Sequence, residues 1–200
     1  MPRPRSYARE TVVTAAKDAF WENGFDGTAL SELERRTELN RSSLYQEFGS
    51  KQGLFSAALD LYYDQVVDPL LIALESGTRL GAIEAFFAGV KAVILEDREG
   101  SRRGCLLVNT IAELSPHDEA AARRAREFRD RLHAAFRSVL EADAARIKGG
   151  SVDRLAGMLL TSTLGIWVCA RIDLDDAAAR CDEIAAEVHT WASAGSTAVR

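Results

Sequence analysis

Residues 39–55 read LNRSSLYQEFGSKQGLF. Leu44 and Phe48 stand four apart, so on a helix they share one face, while Tyr45 points to another. Asn40 is placed to cap that helix, Arg41 to Phe48, and Gly49-Ser50 ends it, with Ser50 capping a further helix that starts at Lys51. The stretch therefore presents an aromatic hydroxyl and an ammonium on the outside of a short helix whose apolar residues face inward. Upstream, Thr28 is expected as the N-cap of a short helix that carries Leu30 and Leu33 to Arg36 or Thr37, with Leu39 closing the turn after it. From Tyr7 to Asn23 the residues Val13, Ala16 and Phe20 recur at helical spacing, and Gly24 stands where a helix C-terminal cap belongs. Phe20, Phe25, Leu30, Leu33, Leu44 and Phe48 then complete a three-helix core, and the second and third helices with their short turn form a helix-turn-helix.

Beyond Lys51, the residues Leu54, Phe55, Ala58 and Leu61 keep helical spacing toward Asp68-Pro69, where the missing proline N–H predicts a bend or a restart. Further helices are expected over Leu80–Glu96, Cys105–Leu114, His117 or Asp118 to Lys148, Ser151–Ile172 and Asp175–Trp191. They are punctuated by the charged loop EDREGSRRG (96–104), Ser115-Pro116 and Gly149-Gly150. No segment reads as a strand. The expected fold is all-α, with a three-helix helix-turn-helix domain (1–52) followed by a six-helix domain (53–200).

The helix over Ser151–Ile172 is apolar around most of its circumference, through Leu155, Met158, Leu159, Leu164, Ile166, Trp167 and Val168. Gly157, Ser162 and Gly165 would let another helix approach closely, and Cys181, Ile184, Ala185, Val188 and Trp191 form a companion stripe on the last helix. A homodimer built on a four-helix bundle satisfies both stripes. The alternative is that both helices are central to one subunit's core.

Composition narrows the classes further. The chain is 47% hydrophobic and 28% charged, as expected of a globular protein. No apolar run reaches the roughly 18 residues of a membrane span, and MPRPRSYARE lacks the apolar segment of a secretory signal, so a cytoplasmic location is expected. Cys105, Cys169 and Cys181 are odd in number and lack CxxC spacing, which argues for buried thiols over a disulfide framework, a metal knuckle or a redox sensor. Eight of the 25 Lys and Arg and eight of the 30 Asp and Glu lie in residues 1–53, so that part is neutral and the remainder carries the net −5. Arg3 and Arg5 form a short proline-spaced basic arm suited to phosphate contact.

GFDGTALSELERRTELNRSSLYQEFGSKQGLF (24–55) resembles the DNA-binding domain of TetR-type transcriptional repressors. A Gly-aromatic pair, a capping Thr, a turn and a Ser-x-Tyr-x-x-Phe-x-x-Lys series recur there in this order. The resemblance runs without a gap from Ala8 to Leu61, and RRGCLLVNTIAEL (102–114) is similar to the sixth-helix segment of one subgroup. It implies that Tyr45 and Lys51 contact DNA phosphates and that Thr28 does so from a helix N-terminus. A phenol, an ammonium and the free N–H groups of a helix start are suitable phosphate donors on physical grounds as well. Base reading falls to Arg41, Ser42 and Ser43, Arg41 being suited to a guanine O6/N7 fork, and Gln46 can touch base or phosphate. For each of these side chains the alternative is a solvated helix face.

Two positions depart from the family pattern. Glu38 stands where Gly usually precedes the turn's apolar residue, so it must adopt φ > 0 or alter the turn. Arg35 and Arg36 replace small residues and are expected to offset Glu32, Glu34 and Glu38, the alternative being added phosphate contacts. An enzyme is the rival class, since Cys105, His117, His133, Glu113 and Asn109 are reactive side chains, yet no HExxH or two-His-carboxylate spacing occurs. A helical adaptor would leave Thr28, Tyr45 and Lys51 idle. The resemblance further implies a palindromic double-stranded operator and a small-molecule effector in the second domain, with no cofactor. Tyr62, Phe86, Phe87, Phe128 and Trp167 are expected as walls of its pocket, with Asn109, Glu113 and His133 as polar groups.

Overall fold

The computed structural model describes residues 8–113, 119–147 and 151–193, and among these residues every regular element is helical. Expectations placed on Arg3, Arg5, Tyr7, Leu114, Ser115-Pro116, His117, Asp118, Lys148 and Gly149-Gly150 lie outside the described residues.

Helix α1 (Arg9–Gly27) buries Val12, Val13, Ala16, Ala19 and Phe20, and breaks at Gly24, whose φ of 74° and ψ of 176° turn the chain into one last turn. The stop lies where the sequence places it. Helix α2 (Leu30–Thr37) follows, then a turn in which Glu38 takes the left-handed conformation at φ 57°, so the family's usual glycine geometry is kept without glycine. Helix α3 (Arg41–Phe48) is capped by Asn40, whose Oδ1 accepts the Ser43 N–H at 2.9 Å. Ser50 caps α4 (Lys51–Tyr62) in the same way, through the Gly53 N–H at 3.0 Å. Rings of Phe20, Phe25 and Phe55 meet at 5.0 to 6.0 Å beneath this unit.

The chain does not restart at Pro69. A π-helical segment, Tyr63–Val67, joins α4 to α5 (Asp68–Glu75), so the chain remains helical through the proline. Arg131 ties the π segment to α5, donating to Tyr63 Oη at 2.9 Å, Asp68 Oδ1 at 2.5 Å and both Glu75 carboxylate oxygens at 2.7 and 2.8 Å. Those acceptors, Glu75 first and then Asp68, raise the guanidinium pKa further.

Helix α6 (Gly81–Glu96) is followed by a one-turn α7 (Arg98–Ser101) inside the stretch expected to be a charged loop. Asp97 creates that turn by accepting the Gly100 N–H at 2.8 Å. Helices α8 (Leu106–Glu113), α9 (Glu119–Ala142), α10 (Val152–Ala170) and α11 (Leu174–Ser193) complete the order. With α4, the π segment and α5 counted as one continuous helix and the single turn of α7 set aside, the α-helices among the described residues are the expected three plus six. Helix α9 stops at Ala142, not Lys148, because Asp143 leaves helical geometry and turns its buried carboxylate to the Leu80 N–H at 3.2 Å.

Helix α11 lies along α6, and α10 packs on α9 and α11. That placement corrects the interface expected from sequence. Leu155, Cys181 and Val188 are at most 5% exposed and belong to the core of one subunit, and Ile184 and Trp191 pack against that core. Met158 and Gly165 stay exposed, and Ser162 is half-buried. Among the described residues α10 alone, 19 residues at mean hydropathy 1.2, is long and apolar enough to cross a membrane by length and composition, which by itself does not mark a membrane protein. One face of α10 packs on α9 and α11, burying Leu155, Ala156, Leu159, Ile166 and Trp167, while its opposite face stays exposed.

Candidate DNA-contacting surface and effector cavity

Helix α3 turns Leu44 inward at 2% exposure and leaves Arg41, Ser42, Tyr45 and Gln46 exposed, with Ser43 partly covered. Arg41 lies over the Tyr45 ring, 5.2 Å from its centroid, so the two side chains share one outer patch. Lys51 is partly buried, and its Nζ stands 4.4 Å above the Phe25 ring, which holds the ammonium while leaving its donors free to turn outward. A further carboxylate orders this surface. Glu34 Oε1 accepts the Arg41 N–H at 2.5 Å, so the start of α3 is held by Asn40 and by α2 together.

Thr28 is not the expected cap. Ala29 occupies the cap position of α2, while Thr28 is 1% exposed and donates its hydroxyl to Gly24 O at 2.5 Å. The break at Gly24 frees that carbonyl, and the nearest hydroxyl satisfies it. Arg35 and Arg36 act as charge partners: both bind Glu32, and Arg36 also reaches Glu22. Their hydrogen bonds hold the Glu32 carboxyl down at about 2. Glu38 takes no part in this cluster among the described contacts.

An apolar cavity of about 20 Å³ sits deeper, between α4, the π segment, α6, α9 and α10. Tyr62, Phe86, Phe128 and Trp167 line it as expected, joined by Val66 and Leu132. Phe87 does not, because it is fully buried in parallel contact with Phe136 at 6.1 Å. The expected polar trio is also elsewhere. Asn109 Nδ2 donates to Arg103 O at 2.7 Å, and Glu113 accepts two N–H groups of α1, so both line a separate cleft of about 370 Å³ against α1. His133 is half-exposed on α9 and does not line the apolar cavity. Asn109 and Glu113 do share a face of α8, but that face is turned to α1.

Cys105 borders the cavity beside Tyr62, and burial raises both pKa values. Burial likewise pushes the Cys181 thiol up to about 11, so both thiols are held protonated and poorly nucleophilic. Among the described residues no group of three His, Cys, Asp or Glu side chains is placed to hold a metal ion.

An all-helical chain with an ordered helix-turn-helix and an exposed, polar third helix has the form of a DNA-binding regulator. Comparison with known proteins agrees. Residues 12–58 match the family model of bacterial regulatory proteins, tetR family. YezE of Bacillus subtilis (strain 168), an uncharacterized HTH-type transcriptional regulator, is 31% identical over 181 residues, 88% of this chain and 92% of YezE. The HTH-type transcriptional repressor ComR of Escherichia coli (strain K12) is 30% identical over 117 residues, and the chain spans about half of ComR, 54%. A cysteine mutant of the TetR family transcriptional regulator CifR, complexed with 26-bp double-strand operator DNA, has a TM-score of 0.79 at 27% identity, covering 94% of this chain and 99% of that one. The chain belongs to the TetR family of DNA-binding transcriptional regulators.

Proposed function

We propose that this regulator is a homodimeric repressor that leaves a palindromic operator when a small molecule occupies the apolar cavity. Residues 1–52 act as the DNA-binding domain and residues 53–200 as the ligand-binding and dimerisation domain. The observation that carries the reading is the outer patch of α3, where Arg41, Ser42, Tyr45 and Gln46 are exposed on a helix fixed by Asn40 and Glu34. Arg41 and Ser42 read bases, with Ser43 beside them, Gln46 meets base or phosphate, and Tyr45 and Lys51 hold phosphates. Arg3 and Arg5 add phosphate contacts from the N-terminal arm. Thr28 spends both its hydroxyl and its N–H internally, so the phosphate contact proposed there falls to the first-turn N–H groups of α2 that follow it.

A gel shift against the duplex upstream of its own reading frame tests this. Lys51→Ala is expected to weaken all sequences alike and lower the salt slope by about one unit. Arg41→Ala is expected to relax preference at one base position, at a cost of about 1–3 kcal/mol. Equal weakening of every sequence by Arg41→Ala would assign Arg41 to phosphate.

Dimerisation is supported by the outer row of α10. Arg154, Met158, Thr161, Gly165 and Val168 alternate in steps of four and three, the spacing of a helix-packing seam, and Ile172 continues the row past the helix end. Met158, Val168 and Ile172 are 50%, 52% and 82% exposed, and nothing lies within 4 Å of a Cβ built on Gly157 or Gly165.

The effector reading rests on the cavity's apolar lining. At about 20 Å³ it has room for roughly one water, so an apolar or amphipathic ligand must part its walls. Parting them shifts α4 and the π segment, and α4 begins at Lys51. Linkage requires operator DNA to weaken ligand binding by the factor that ligand weakens DNA binding. Titrating a ligand with and without operator checks it, and equal affinities would separate the cavity from DNA release.

A further inference from the structure

We infer that Glu113 is a positioning residue for DNA binding, acting through Phe25 on Lys51. This inference rests on the proposed role of Lys51 as a phosphate contact. The geometry begins at the Gly24 break, which turns the N–H groups of Phe25 and Asp26 out of the α1 ladder as the open start of one further turn. Glu113, the last residue of α8, fills that start with both carboxylate oxygens: Oε2 accepts from Phe25 N–H at 3.1 Å and Oε1 from Asp26 N–H at 2.9 Å. The site is shaped for the carboxylate, because a Cβ on Gly24 would stand 2.7 Å from Glu113 Oε2 and the φ of 74° there strains any other residue.

The same α8 segment holds α1 at its other end, where Trp21 Nε1 donates to Gly104 O at 2.9 Å. Helix α8 is thus clasped to α1 on both sides of the break, and α1 cannot move alone. Phe25 carries the link onward. Its backbone is fixed by Glu113, its ring packs on Phe20 and Phe55, and the Lys51 ammonium stands over that ring. Releasing Glu113 frees Phe25, and with it the support that fixes where Lys51 presents its charge. Because Cys105, at the other end of α8, borders the apolar cavity, the clasp also gives the cavity a second connection to the DNA-contacting surface besides α4.

The test uses the full-length protein and a mixed-sequence duplex oligonucleotide, so no operator needs to be known. Glu113→Ala is expected to lower the salt slope of duplex binding by about one unit, as Lys51→Ala does. In a Lys51→Ala background Glu113→Ala should lower it no further, since both changes remove the same contact. Glu113→Gln, which keeps the shape and one acceptor, is expected to fall between. Amide exchange at Phe25 and Asp26 should quicken in Glu113→Ala, which verifies loss of the clasp in a folded chain. Full slope in Glu113→Ala with fast exchange at both amides, or slope losses that add in the double variant, would overturn the inference. If Lys51→Ala itself leaves the slope unchanged, the failure lies with the phosphate assignment of Lys51 and the clasp has nothing to position.

Discussion

Replacing Val168 and Ile172 together by Glu is expected to turn the protein into a monomer by sedimentation and to weaken operator binding roughly hundredfold or more. At 52% and 82% exposure neither side chain supports the core of its own subunit, so helical content should stay unchanged. Two charges placed on an apolar seam must be desolvated for a partner helix to return, and they repel their symmetry mates across a two-fold axis. The loss in DNA binding follows from geometry, because one recognition helix reads only a few base pairs and the second half-site is then bound as a separate event. A variant that remains dimeric at micromolar concentration would place the interface elsewhere on the chain.

Phe136→Ala is expected to destabilise the fold by about 3–5 kcal/mol, read as a lower urea midpoint at unchanged slope. The Phe136 ring is fully buried, meets Phe86 edge-on at 5.2 Å and lies parallel to Phe87 at 6.1 Å. Removing it opens a void between α9 and α6 that three aromatic rings now fill. Phe86 also lines the apolar cavity, so the void adjoins that chamber. A loss below about 1 kcal/mol would mean that the neighbouring rings collapse into the space.

Local chemistry was legible in the sequence wherever partners lie within one turn. Asn40 and Ser50 cap α3 and α4 as read, and of the two courses open to Glu38 it takes the positive φ. The helix order and the Gly24 stop were legible for the same reason, since periodicity and punctuation are local signals, whereas the four cavity walls Tyr62, Phe86, Phe128 and Trp167 came from the family resemblance. What was not legible depends on contacts far along the chain. Glu113 meets α1 across 87 and 88 residues, and Asp143 ends α9 by bonding Leu80 across 63. An i, i+4 pair such as Asn109 and Glu113 shows that two side chains share a face, but not which neighbour the face meets. Cys181 and Val188 failed likewise: an apolar stripe looks the same whether it is covered by α6 or by a second copy. Thr28 is the local exception: it has a cap's composition, but the carbonyl that the break frees four residues back, at Gly24, takes its hydroxyl instead.

The π segment at Tyr63–Val67 has a consequence for how the length of this chain can change. An α-helix turns about 100° per residue, so losing one residue from α4 or α5 would swing every side chain on one side of the cut to a different face. A π turn holds one residue more than the α turn it replaces, and its flanks already stand in register. Deleting one residue within 64–66 therefore relaxes the wide turn to an ordinary one and leaves Lys51 and Leu71 on the faces they now occupy. Across the 25 residues from Lys51 to Glu75, length is free to vary at that turn and fixed on both sides of it.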